Sequence, residues 1–217
     1  MGAKFKKLTD PRRWEGSIKG FEQMDAISMP EKEGIVFVGS STIAFWITLE
    51  EDMAPLPVIR RGFGGSIIND SINFADRIII KYLPSIVVLY AGDNDIAIEN
   101  ECKKDEDAAK ECMADFQTFV RTIHNQLPDV EICFISIKPS PSRWEIWPIM
   151  RDANRLIKEF MQKGDKLHYI DIVPCLLDNN HRPNENLYIR DKLHLNEKGY
   201  IEITKIIKPI INRVFKK

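Results

Sequence analysis

The chain has 217 residues, 44% of them hydrophobic, with 31 Lys and Arg against 32 Asp and Glu and a formal net charge of −1. It is long enough for one substantial core, so residues 1–217 read as a single domain with 1–30 as a helical extension packed on it. The even charge balance excludes a broad basic footprint for nucleic acid, and no apolar run approaches the ~20 residues that a membrane span needs.

The N-terminal segment lacks an apolar signal-peptide core, and Cys102, Cys112, Cys133 and Cys175 form no Cys-x-x-Cys pair. Together these predict a cytoplasmic protein with reduced thiols and no zinc site; a secreted chain already cleaved from its leader would read the same. The basic runs Lys4 to Lys7 and Lys216 to Lys217 read as solvated tails.

The first predicted element is a helix over 11–26, with Asp10 as N-cap, Pro11 at its first position, and Trp14, Ile18, Phe21 and Met24 on one face. A fully apolar strand, 34–38, leads directly into Gly39-Ser40-Ser41 and a helix through Phe45 and Trp46. A shorter strand, 57–60, precedes the glycine-rich turn Arg61-Gly62-Phe63-Gly64-Gly65-Ser66 and then a helix over 67–82 that Pro84 ends. The run 86–90, β-branched and uncharged, is the best central strand, and the turn Gly92-Asp93-Asn94-Asp95 follows it.

Residues 105–127 read as a helix with Phe116, Phe119, Val120, Ile123 and Leu127 on its apolar stripe, followed by a strand over 131–137. The exit loop, Lys138-Pro139-Ser140-Pro141-Ser142-Arg143-Trp144, is too proline-rich for regular structure. A helix over 149–163 closed by Gly164, a strand over 167–173, and a polar loop 178–183 lead to Asp191-Lys192-Leu193-His194. Asn196 caps a last helix, 197–215, which Pro209 is expected to kink or divide. Five strands alternating with helices predict a parallel sheet covered on both faces, an α/β fold whose active groups gather at the carboxyl ends of the strands.

Four of these strand exits carry chemistry. Serine is a poor nucleophile unless a base takes its proton and a third group holds the base, and Ser41, His194 and Asp191 can fill those roles. A tetrahedral intermediate needs donors at its oxyanion, for which the backbone N–H of Ser41, the backbone N–H of Gly65 and the side chain of Asn94 are candidates. Gly-x-Ser and Asp-x-x-His are each common by chance; their joint order after strand-like runs is what carries weight.

The four segments resemble the sequence blocks of the SGNH hydrolases, the GDSL-type esterase/lipase family, over about 34–200. The resemblance implies a three-layer α/β/α, flavodoxin-like fold. It also implies an esterase with Ser41 as nucleophile, Asp191 and His194 as its partners, and Ser41, Gly65 and Asn94 around the oxyanion. The implied reaction needs no metal or cofactor, and the implied partner is a small-molecule ester, with an acetylated carbohydrate as one form. The first block reads Gly-Ser-Ser rather than Gly-Asp-Ser, which leaves Ser40 as a rival nucleophile, and the doubled Gly64-Gly65 leaves the oxyanion glycine open by one place.

Trp144 and Trp147 are candidate walls of the substrate pocket. Two other readings compete: a metal-dependent phosphoesterase with Asp93, Asp95, Asp191 and His194 as ligands, and a non-catalytic carbohydrate- or lipid-binding module.

Overall fold

In the computed structural model the apolar runs become five strands of one parallel sheet: β1 (Ile35–Gly39), β2 (Val58–Gly62), β3 (Ile86–Tyr90), β4 (Glu131–Ile135) and β5 (Leu167–Ile170). The structure describes residues 10–100 and 105–216. Lys4 to Lys7, Cys102 and Lys217, and the first part of the predicted N-terminal extension, lie outside the described residues.

The strand order β2-β1-β3-β4-β5 is flavodoxin-like. Its order reverses between β1 and β3, where Gly39 pairs with Tyr90, so the exits of those two strands open a crevice. The exits carry Ser41 and Asn94.

Alternation along the strands divides the core into two layers. Val36, Val38, Val87, Leu89 and Phe134 face α1 (Glu15–Ile27), α4 (Ile68–Asn73), α5 (Ala75–Ile78), α7 (Asp105–Gln126) and α8 (Trp147–Met161). Ile35, Phe37, Val88 and Tyr90 face α2 (Ser41–Ala44), α3 (Leu49–Met53) and α9 (Glu197–Phe215). α6 (Asp93–Asn100) starts at the β3 exit and adds Ile96 to the first of these layers. The result is a three-layer α/β/α fold. Among the described residues no helix is long and apolar enough to cross a membrane.

Several local expectations are corrected. The first helix begins as a 3-10 turn, Pro11–Trp14, before α1; Asp10 caps it by accepting from the Arg12 N–H at 3.0 Å. Met24 is exposed rather than on the packed face. The helix expected over 67–82 is broken into α4, α5 and a 3-10 turn, Ile80–Tyr82. Its first break falls at Phe74, whose ring meets Phe63 edge-on in the β2 exit loop, a tertiary contact that periodicity does not register. Gly92 to Asp95 is less a turn than the start of α6.

The proline-rich β4 exit forms a 3-10 helix, Pro141–Ile146, because Pro141 pre-sets φ for its first turn. α9 runs unbroken through Pro209, since Pro209 and Lys205, whose carbonyl loses its partner, both lie on the solvent face.

Candidate active site

β1 reaches the crevice through Gly39, whose φ of +129° and near contact with β3 admit no side chain: an added Cβ would stand 1.9 Å from the Tyr90 carbonyl oxygen. The next two residues are separated by burial and partners. Ser40 is fully buried with its hydroxyl unpartnered, while Ser41 opens α2 and its Oγ lies 2.9 Å from His194 Nε2. The structure therefore brings Ser41, not Ser40, to the histidine.

The loop before α9 holds that histidine by its own backbone. Asp191 Oδ1 accepts from the N–H groups of Leu193 and His194 at 2.9 and 3.0 Å, and Oδ2 lies 2.5 Å from His194 Nδ1. Partial burial works against the charge on Asp191, but those two N–H groups and the imidazole hold its pKa down at about 2. An ionised Asp191 fixes the proton on Nδ1 and leaves Nε2 as an acceptor toward Ser41. Phe45 packs against the imidazole, ring centroids 4.9 Å apart.

At the β2 exit, Gly64 lies against Ser41, an added Cβ coming 3.7 Å from Ser41 Cβ. Gly65 carries the positive φ, +83°, and its face is covered by Trp14, 3.3 Å from where a Cβ would stand. Trp14 in turn packs edge-on to Phe63 and donates from Nε1 to Asp70 at 2.9 Å. Gly65→Ala is expected to lower kcat by on the order of 10²-fold through strain and displacement of this loop, and the same strain should lower the melting temperature by a few degrees, measurable by paired kinetic and thermal assays.

Asn94 is nearly buried, and its amide is held at both ends: Nδ2 donates to the Ser66 carbonyl at 3.0 Å, and Oδ1 accepts from Arg143 Nη2 at 2.8 Å. Asp95 ties the two loops together, Oδ1 accepting from the Ile68 N–H and Oδ2 from the Gly92 N–H, both at 2.9 Å. Burial raises its pKa to about 7, above the usual carboxylate value of 3.8.

In the folded chain Asp95 therefore keeps its proton where the unfolded chain has lost it. Its contribution to stability falls as pH rises from about 3.8 to about 7. Comparing urea midpoints at both ends of that window should show a shallower pH dependence for Asp95→Asn than for the parent protein.

Not every predicted residue reaches this constellation. Trp144 and Trp147 stack with centroids 6.1 Å apart and line a cavity of about 620 Å³ with Arg151, Tyr169 and His181, but Ser41, Asn94 and His194 are not among its walls. The four ligands of a metal-dependent reading are also not assembled. Asp93 faces Lys138 and Arg143, Asp95 is bound to backbone amides, and no group of three or more His, Cys, Asp or Glu that could hold a metal is found among the described residues.

Sequence reasoning missed Trp14, Phe45, Lys138 and Arg143 as parts of the site. Lys138 and Arg143 had a usable signal: two cations at the exit of an otherwise apolar strand, with an acidic residue, Asp93, at the exit of its neighbour.

The family that the chain matches makes it a hydrolase acting on ester bonds. The chain belongs to the GDSL-like Lipase/Acylhydrolase family, whose pattern matches residues 43–200. That span includes Gly65, Asn94, Asp191 and His194 and begins two residues after Ser41. No curated protein matches the chain.

Solved structures with the same fold include a Streptococcus pneumoniae protein named for platelet activating factor, at 19% identity and TM-score 0.77 over 92% of this chain and 93% of that one. A Bacteroides fragilis protein assigned as an acylhydrolase aligns at 22% identity and TM-score 0.75, over 89% and 94% of the two chains. A GDSL-like lipase of Bacteroides thetaiotaomicron aligns at 19% identity and TM-score 0.73, over 90% and 97%.

Proposed function

We propose that this chain is a serine esterase that cleaves small or short-acyl carboxylic esters through an acyl-enzyme. The observation that carries the reading is the continuous chain of contacts from Ser41 Oγ to His194 Nε2 and from His194 Nδ1 to Asp191. His194 takes the Ser41 proton as Oγ attacks the ester carbonyl, then returns it to the departing alcohol. In the second half it deprotonates a water that attacks the acyl-serine, and Asp191 holds the imidazole throughout. The N–H of Ser41, the N–H of Gly65 and Asn94 Nδ2 receive the oxyanion, so the chemistry uses no metal or cofactor.

A small acyl group suits the space around Ser41, which Phe45, Gly64 and the Trp14-covered Gly65 crowd. The exposed polar side chains of Arg190, Asp191 and Lys192 at the rim suit a polyhydroxylated alcohol, and an acetylated carbohydrate combines the two. A series of p-nitrophenyl esters of increasing chain length tests the reading. Turnover should be greatest on the acetate and fall as the chain lengthens; a maximum at a long acyl chain overturns the short-acyl assignment, and no turnover of any ester overturns the esterase.

A further inference from the structure

Asn94 stands over a buried charge cluster that the triad does not use. Asp93, with 4% of its side chain exposed, faces two cations: Lys138 Nζ and Arg143 Nη1 each lie 3.2 Å from its Oδ2. Lys138 is 1% exposed and also contacts the Tyr90 hydroxyl at 3.2 Å; Arg143 is 18% exposed. One carboxylate against two cations leaves a formal charge of +1 beneath the crevice.

Arg143 spans the cluster and the site. Its Nη2 donates to Asn94 Oδ1, while its Nη1, though near Asp93, is buried without an aligned acceptor. A side-chain amide can turn over about its last bond with almost no change of shape, which exchanges a donor for an acceptor. Here both ends oppose the exchange. Turned over, Nδ2 would face the guanidinium and Oδ1 would face the Ser66 carbonyl, two contacts between like groups. In the observed orientation one Nδ2 hydrogen is spent on Ser66 and the other is open to a substrate oxygen.

We propose that Arg143 is a positioning residue of the oxyanion hole: it locks the Asn94 amide with its donor toward the developing oxyanion. The proposal rests on the esterase reading above. Preorganised donors and dipoles act mainly on the transition state, so losing the lock falls on kcat rather than KM.

Arg143→Met tests this. Methionine retains much of the apolar stem, and Asp93 keeps Lys138 as its partner, so no carboxylate is left without a cation. On p-nitrophenyl acetate, Arg143→Met should lower kcat about 10- to 100-fold with KM within about twofold. In an Asn94→Ala background the same change should cost less than about threefold, because the amide it positions is gone. Arg143→Lys, which restores the charge and a donor, should recover part of the loss.

Equal losses in both backgrounds, or a loss confined to KM, overturn the proposal while leaving the esterase intact. A parent protein that neither turns over esters nor reacts at Ser41 overturns both. Should Arg143→Met fail to fold, Arg143→Gln carries the same cycle with one neutral donor, and additivity there overturns the proposal equally.

Discussion

Ser41→Ala is expected to cut turnover by on the order of 10⁴- to 10⁶-fold, the scale on which serine-histidine-carboxylate sites lose activity when nucleophile or base is removed. The expectation follows from the separation of the two serines: Ser41 Oγ is 2.9 Å from His194 Nε2, while Ser40 is fully buried with an unpartnered hydroxyl. His194→Ala should cost about as much, and the double variant little more, since each residue is useless without the other.

A fluorophosphonate adduct mapped by mass spectrometry locates the nucleophile independently of turnover. The adduct should sit on Ser41, disappear in Ser41→Ala and persist in Ser40→Ala. An adduct retained by folded Ser41→Ala would sink the assignment.

The carboxylate contributes differently from the other two. Asp191 has 43% of its side chain exposed, yet two N–H groups and the imidazole keep it ionised down to about pH 2. The carboxylate therefore stays charged against the imidazole and holds the His194 proton on Nδ1 while Nε2 faces Ser41.

What the sequence made legible was whatever depends on short-range pattern. Ile35 to Val38 and Ile86 to Tyr90 are uncharged and mostly β-branched, which only a strand covered on both faces explains, and both are buried throughout. The serine, glycine and asparagine could be read because each follows a strand that delivers it to one edge; Asp191 and His194 reach that edge instead on the loop before α9, well past the end of β5. Contacts between distant side chains were hidden. Nothing in the spacing of 67–82 announces a break at Phe74, because the break reflects Phe63 across the loop. Trp14 looked like one apolar residue of a helix stripe, yet it covers Gly65 through a contact fifty-one positions away in the chain. Arg143 sat in a proline-rich segment whose composition argued against regular structure, and its partner Asn94 had already been assigned to the substrate.

Asp25→Ala is expected to destabilise the fold by about 3–5 kcal/mol, the usual cost of removing one member of a buried ion pair. Asp25 in α1 and Arg61 in β2 are 6% and 5% exposed, and they are hydrogen-bonded directly. The Tyr82 hydroxyl closes a ring, donating to Asp25 and accepting from Arg61 Nε at 2.6 Å each, and Lys81 adds a second cation. Burial disfavours the Asp25 charge, but Lys81, the Tyr82 hydroxyl and Arg61 outweigh it and hold its pKa below the usual 3.8.

The stabilisation from Asp25 is thus present above the unfolded carboxyl's pKa and is lost as pH falls below it. Removing the carboxylate leaves the Arg61 guanidinium buried, with the Tyr82 hydroxyl and the Arg60 carbonyl as its hydrogen-bond acceptors among the described residues and no anion against it there. For a chain this long the melting temperature should drop by roughly 10 °C.

Arg77→Ala, which breaks the contacts with Glu15 and Glu22, should cost far less than Asp25→Ala, because those three side chains are a third or more exposed and solvent screens them. Replacing both buried partners, Asp25→Leu with Arg61→Met, in a Tyr82→Phe background so that no buried hydroxyl is left without partners, should recover much of the loss, since the larger part of it is the unpaired charge rather than the pair's own worth. Calorimetry on the three variants decides this. A double variant as unstable as Asp25→Ala would show that the pair holds α1 in place by geometry rather than by mutual neutralisation. The strand that carries Arg61 leads straight into Gly64 and Gly65, and α1 follows the turn that carries Trp14 onto them, so a loss of esterase activity should accompany the loss of stability.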